Sequence, residues 1–112
     1  MATKEEILEE VERLGRLSTE QEVVLYNISL RQDELGRQPT NMLLSDLEAN
    51  ELYKDMLERE YLTYEVYNHG GSGKAVIASL IVTLKGMRYC NLYADEIEPH
   101  RQWDVAGNAR KR

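Results

Sequence analysis

The chain has no phenylalanine, one cysteine, two prolines and no long uninterrupted apolar run among its 112 residues. Without phenylalanine, core bulk must come from the seven tyrosines, Trp103 and the aliphatic residues. A lone Cys90 excludes an intrachain disulfide and fits a reducing compartment. It reads as a small apolar filler near the last helix, not as a nucleophile. No basic-apolar-small leader opens the chain, and no apolar stretch approaches the roughly 20 residues that span a membrane. A cytoplasmic protein is the expectation.

What is present is ordinary for a globular protein, with 42% hydrophobic and 30% charged residues. The length suits one domain, with room for an appendage. The net charge of −6 is unevenly spread. Residues 1–18 carry three basic and five acidic groups, and residues 19–97 carry seven and thirteen. Residues 98–112 reverse the sign, with four basic and two acidic groups. An acidic body with a basic tail argues against broad, sequence-independent DNA binding, which depends on phosphate neutralisation.

Thr3-Lys4-Glu5-Glu6 has the form of a capping box, so a helix is expected from near Lys4 to Gly15. Ile7, Val11 and Leu14, with Leu8 beside them, form a narrow apolar stripe. It suits packing on the chain's own domain or pairing with the same helix of a second copy. Ser18-Thr19-Glu20-Gln21 offers a second box for a helix running to about Leu35, with Gly36 and Pro39 breaking it. Asn41–Ala49 suits a short helix and turn. From Asn50 to Leu62 a helix places Leu52, Tyr53, Met56, Leu57 and Tyr61 on one side. Glu51, Lys54, Asp55, Glu58 and Arg59 face away.

Thr63–Tyr67 then alternates as an exposed strand, and residues 68–74 form a glycine-rich loop. Ala75–Val82 is a buried strand or a buried helix, since periodicity alone does not separate them. Thr83 is a plausible cap for a final helix carrying Leu84, Met87 and Tyr89. Glu98–Arg112, with Pro99, Gly107 and the closing Arg110-Lys111-Arg112, reads as a tail.

The loop Gly70-Gly71-Ser72-Gly73-Lys74 invites a phosphate-loop reading and fails it. Asn68 stands where the first glycine belongs, and Ala75 follows the lysine where magnesium needs Ser or Thr. A hairpin tip is the better account. His69 and His100 have no partner at metal-ligand spacing. The carboxylates of residues 5–12 and 55–60 read as solvated faces beside lysines and arginines. No nucleophile, acid–base pair, metal or cofactor site emerges, so catalysis is not expected.

A helix, a hairpin with a loose tip and a returning helix together describe the helix-and-wing half of a winged helix-turn-helix domain. Tyr61–Tyr67 and the step Val82-Thr83-Leu84-Lys85-Gly86-Met87-Arg88-Tyr89 resemble the small YjcQ-like winged-helix proteins of Gram-positive bacteria and their phages. The resemblance covers roughly residues 45–92. It implies a winged helix and an association with transcriptional regulators or phage accessory proteins, and it carries over no binding residue.

The expected architecture is therefore α+β and mostly α. It comprises an N-terminal helix at 1–18 that is a possible dimerisation arm, a winged helix-turn-helix domain at 19–97, and a basic tail at 98–112. A dimeric DNA-binding regulator is the leading expectation, with Asn50, Lys54 and Arg59 on the recognition helix and His69 and Lys74 on the wing as candidate contacts to double-stranded DNA. The alternative is a protein-interaction module. Its feature is the acidic face of that helix, through Glu51, Asp55 and Glu58.

Overall fold

The computed structural model describes residues 3–34, 40–69 and 75–104. Side-chain caps set the starts of several helices. In α1 (Lys4–Leu14) the Thr3 hydroxyl accepts from the Glu6 amide at 3.2 Å, and the Glu6 carboxylate accepts from the Thr3 amide at 2.9 Å. The helix stops at Gly15, whose φ of 91° suits a residue without a Cβ. In α2 (Thr19–Glu34) Ser18 and Gln21 make the same reciprocal pair, at 3.1 and 2.9 Å. The Gln21 side-chain amide also donates to the Leu52 carbonyl at 2.9 Å, which ties α2 to the helix Glu51–Glu58.

The chain then forms β1 (Thr40–Leu43), α3 (Leu44–Ala49), α4 (Glu51–Glu58), β2 (Leu62–His69), β3 (Ala75–Val82), α5 (Leu84–Leu92) and α6 (Ala94–Asp104). The protein is α+β and mostly helical, with one three-stranded antiparallel sheet in the order β1-β3-β2. This arrangement is compatible with a winged helix.

The strand Ala75–Val82 lies at the centre of the sheet because both its neighbours need it. Leu80 stands opposite Thr40 on one side and Tyr64 on the other, and Ala78 opposite Met42 and Val66. Ala78, Leu80 and Val82 are buried beneath the helices, while Ile77, Ser79 and Ile81 between them are half-buried. Pairing with β1 starts at Thr40, opposite Leu80. Beyond it, the Gln32 side chain takes over the ladder. It donates to the Val82 carbonyl at 3.2 Å and accepts from the Val82 amide at 2.8 Å.

Several boundaries differ from the sequence reading. The helix expected to run to Leu62 ends at Glu58. Its last turn closes with Tyr61 N–H donating to Met56 C=O at 2.9 Å and Glu60 N–H to Leu57 C=O at 3.1 Å. This is a Schellman closure, whose left-handed position usually holds glycine. Here Glu60 occupies it with φ 66°, so no glycine marks the stop. The strand after it is correspondingly longer than Thr63–Tyr67. A strand also forms at Thr40–Leu43, where a short helix and turn had been read. The segment read as a tail from residue 98 is helical to Asp104, through Pro99. Ile97 anchors that helix, at 1% exposure, and α6 packs along α2. The break at Gly36–Pro39, the glycine loop with Lys74, and the end carrying Arg110-Lys111-Arg112 lie outside the described residues.

The core gathers Ile7, Leu25, Leu47, Met56, Tyr61, Leu62 and Tyr89, all essentially without exposure. Ile7 places α1 on this core, where Val11 packs against it as well. Tyr61 and Tyr89 are the only aromatics fully buried among the described residues, their ring centroids 4.8 Å apart.

One junction holds the hairpin to α5. The Thr83 hydroxyl donates to Glu60 C=O at 2.6 Å and accepts from Gly86 N–H at 3.0 Å, while Thr83 N–H donates to Tyr61 C=O at 3.1 Å. The first turn of α5 therefore rides directly over the Tyr61 peptide. A Cβ on Gly86 would sit 2.1 Å from the Tyr61 carbonyl oxygen and 2.9 Å from Val82 Cγ1. Neither neighbour can yield, because one is backbone and the other is packed. Gly86→Ala is expected to lower the denaturant midpoint by the equivalent of about 3 kcal/mol or more, the upper range for overpacking a core. Urea unfolding followed by circular dichroism measures this.

Candidate recognition face

The α3–α4 pair and the hairpin are the elements on which a binding role was expected. Asn50 lies between the two helices and caps α4, its Oδ1 accepting from Leu52 N–H at 2.9 Å. That role leaves Asn50 exposed but commits its acceptor to the helix start. Lys54 is exposed on the outer side of α4. Glu51, Asp55 and Glu58 are exposed beside it, and Asp46 and Glu48 on α3 are exposed as well. Asp46 and Glu48 are not among the predicted contacts, because they precede the helix expected from Asn50. His69 closes β2, and its side chain and Lys74 lie outside the described residues.

Arg59 belongs to a different structure. Its guanidinium donates to the Gly15 carbonyl at 2.7 Å and the Leu14 carbonyl at 3.3 Å. These are the orphan acceptors at the C-terminus of α1, where a cation also meets the negative end of the helix dipole. The basic residue expected to face DNA at the end of α4 thus caps another helix.

Two polar clusters are built on the buried tyrosines. The Tyr61 hydroxyl donates to Glu10 Oε1 at 2.6 Å, and Lys85 Nζ donates to Glu10 Oε2 at 3.1 Å and to the Arg59 carbonyl at 2.8 Å. Lys85 also stands 5.1 Å from the Tyr61 ring centroid. Burial alone would raise the Glu10 pKa, but the hydrogen bonds from Tyr61 and Lys85 and the charges of Lys85 and Arg59 outweigh it and hold the carboxyl below its usual value. Glu10 had been read with its neighbours as part of a solvated face. It instead faces the core junction, at 15% side-chain exposure.

In the second cluster the Tyr89 hydroxyl donates to Glu22 Oε2 and accepts from Leu17 N–H at 3.0 Å. Arg16 holds Glu22 through Nε at 2.9 Å and a terminal nitrogen at 2.8 Å, pairs with Glu96, and lies 4.0 Å above the Tyr93 ring. The hydrogen bonds that Arg16 donates to Glu22 raise the Arg16 pKa still further above its ordinary value. Burial first, then the facing carboxylate, pushes both tyrosine hydroxyls above the ordinary phenol range. Burial likewise pushes the Cys90 thiol up to about 12, with the Glu22 charge adding to it. A thiol so held is not a nucleophile near neutral pH.

Among the described residues no three His, Cys, Asp or Glu side chains are placed to hold a metal ion, and no helix is long and apolar enough to cross a membrane. No protein-family model matches the chain, and no curated protein or solved structure matches it.

Two outcomes follow from this geometry. Arg59→Ala is expected to lower stability by about 1 kcal/mol, the scale of a lost helix cap, whereas Lys54→Ala stays within about 0.5 kcal/mol. Thermal unfolding of the two variants makes the comparison. Because the folded pKa of Glu10 lies below its ordinary 4.5, the stabilisation from the Glu10 cluster is complete above that value and fades as pH falls through the lower folded pKa. The Glu10→Gln variant should lose less stability between neutral and acid pH than the wild type does, measured by denaturant titration of both across the acid range.

Proposed function

We propose that residues 19–97 form a winged helix-turn-helix module that recognises a protein, with the α3–α4 face meeting a basic partner. The observation that carries this reading is the charge of that face. Glu51, Asp55 and Glu58 follow one another at i, i+4 and i+7 on α4 and are exposed, and Asp46 and Glu48 are exposed on α3, against Lys54 alone among the described basic residues of the two helices. Arg59, the other basic residue read onto that helix, is committed to the α1 carbonyls. Carboxylates facing phosphates repel them, and few can be satisfied by cytosine amino groups. Facing lysines and arginines, the same carboxylates steer association and fix register.

The winged-helix assignment rests on element order. Helix α2, strand β1, the pair α3–α4 and the hairpin β2–β3 follow one another, with β3 between the other two strands. The resemblance of Val82–Tyr89 to YjcQ-like proteins points the same way.

The same topology favours a second reading, a dimeric DNA-binding regulator of transcription. In it Lys54 and Asn50 approach the major groove and the wing residues His69 and Lys74 track the backbone. A homodimer would place two such weak modules on paired half-sites. That reading rests on fold-level analogy.

One titration separates the two. Labelled mixed-sequence duplex and duplex from around the protein's own gene are titrated at low and at physiological salt. The protein-recognition reading expects binding that is absent or erased at physiological salt, and stronger nonspecific binding by the variant Glu51→Lys/Asp55→Lys/Glu58→Lys. Tight binding to the local duplex that survives physiological salt establishes the regulator instead.

A further inference from the structure

A groove of about 920 Å³ opens beside the acidic face, where α1, the turn after α4, the start of β2 and the start of α5 meet. Its lining combines Leu57, Leu62 and Leu84 with Glu6, Glu60 and Lys85. Leu62 is fully buried and forms a floor, whereas Leu84 is 49% exposed at the first position of α5. Leu84 thus adds exposed aliphatic surface next to the half-buried Leu57 and the buried Leu62 of the same groove. Its charged lining is two glutamates and one lysine that is already paired. Lys85 is neutralised by Glu10 and donates to the Arg59 carbonyl, so it offers no free cation to the groove. Glu6 keeps one carboxylate oxygen beyond its bond to the Thr3 amide, and Glu60 is exposed in its left-handed position.

Resting on the protein-recognition reading, we propose that this groove seats the aliphatic anchor of a basic peptide segment. One leucine-sized side chain enters between Leu57 and Leu84. Flanking lysines or arginines meet Glu60 on one side and Glu6 on the other. An apolar anchor inside a charged rim is the arrangement that gives interfaces both affinity and register. An acidic partner is repelled by the rim, and a wholly basic segment leaves the leucines unpaired.

The probe is a capped pentapeptide, acetyl-Lys-Lys-Leu-Lys-Lys-amide, titrated into the full chain and followed by methyl and amide NMR. Saturable shifts confined to Leu57, Leu62, Thr63 and Leu84 are expected. Leu84→Ser should weaken the complex about tenfold, the scale of one buried aliphatic side chain. That position is exposed and tolerates serine at a helix start, so the fold is retained. Replacing the peptide leucine by serine should weaken it to the same extent. Glu60→Gly should weaken it as well, since it removes a rim charge at a backbone conformation that glycine adopts freely. Shifts scattered over the acidic surface and indifferent to either leucine would overturn the proposal, as would the absence of saturable binding. The triple lysine variant of α4 separates this inference from the broader one. Binding weakened by the triple variant but not by Leu84→Ser leaves the acidic face standing and removes the groove. Binding weakened by Leu84→Ser alone leaves the groove and removes the face.

Discussion

Two buried phenol hydroxyls organise the molecule. A core made without phenylalanine takes its aromatic volume from tyrosine, and each buried tyrosine brings an O–H that must be paired. Tyr61 and Tyr89 meet that need with carboxylates, Glu10 and Glu22. A carboxylate drawn into the interior needs positive charge beside it, which Lys85 and Arg16 supply. Tyr89 and Lys85 lie on α5, Glu10 on α1, Arg16 in the α1–α2 connection, Glu22 on α2 and Tyr61 just before β2, so satisfying two hydroxyls fastens these elements to one another. The tilted contact between the two rings makes the clusters neighbours.

This arrangement also shapes the surface. With α1 held by Glu10 and Ile7, its C-terminal carbonyls arrive beside the end of α4 and engage Arg59. The outward face of α3–α4 is thereby left to its carboxylates and Lys54. Polar demand in the core thus propagates to the electrostatic character of the α3–α4 surface. The groove at Leu84 arises from the same junction, because Gly86 lets α5 approach Tyr61 closely enough to present its first residue next to the α4 turn.

Local chemistry was legible where it is encoded in a few adjacent residues. Thr3, Ser18 and Thr83 act as caps, since a hydroxyl three residues before its amide partner is visible in a sequence. The run Ala75–Val82 reads as a strand or a helix by itself, and its two sheet partners decide the matter. The end of α4 was illegible because Glu60 adopts the conformation that usually announces itself as glycine. Strand β1 is four residues long and takes its definition from pairing with β3, not from its own pattern. The extent of α6 was hidden by Pro99, whose usual helix-breaking meaning is overridden by Ile97 in the core.

For the candidate site, the exposed positions of α4 followed from helical periodicity, so Glu51, Lys54, Asp55 and Glu58 were correctly placed outward. Charge and face are both local properties. The roles of Arg59, Glu10 and Gln32 are not, because each is set by an acceptor or donor tens of residues away in the chain. The sequence by itself determined the caps, the apolar faces, the acidic balance and the need for tyrosine in the core. Only the tertiary structure decided which charged side chains pair inside and which remain outside. That choice depends on which backbone carbonyls and hydroxyls the folded chain brings within hydrogen-bonding distance, and sequence spacing does not carry that information.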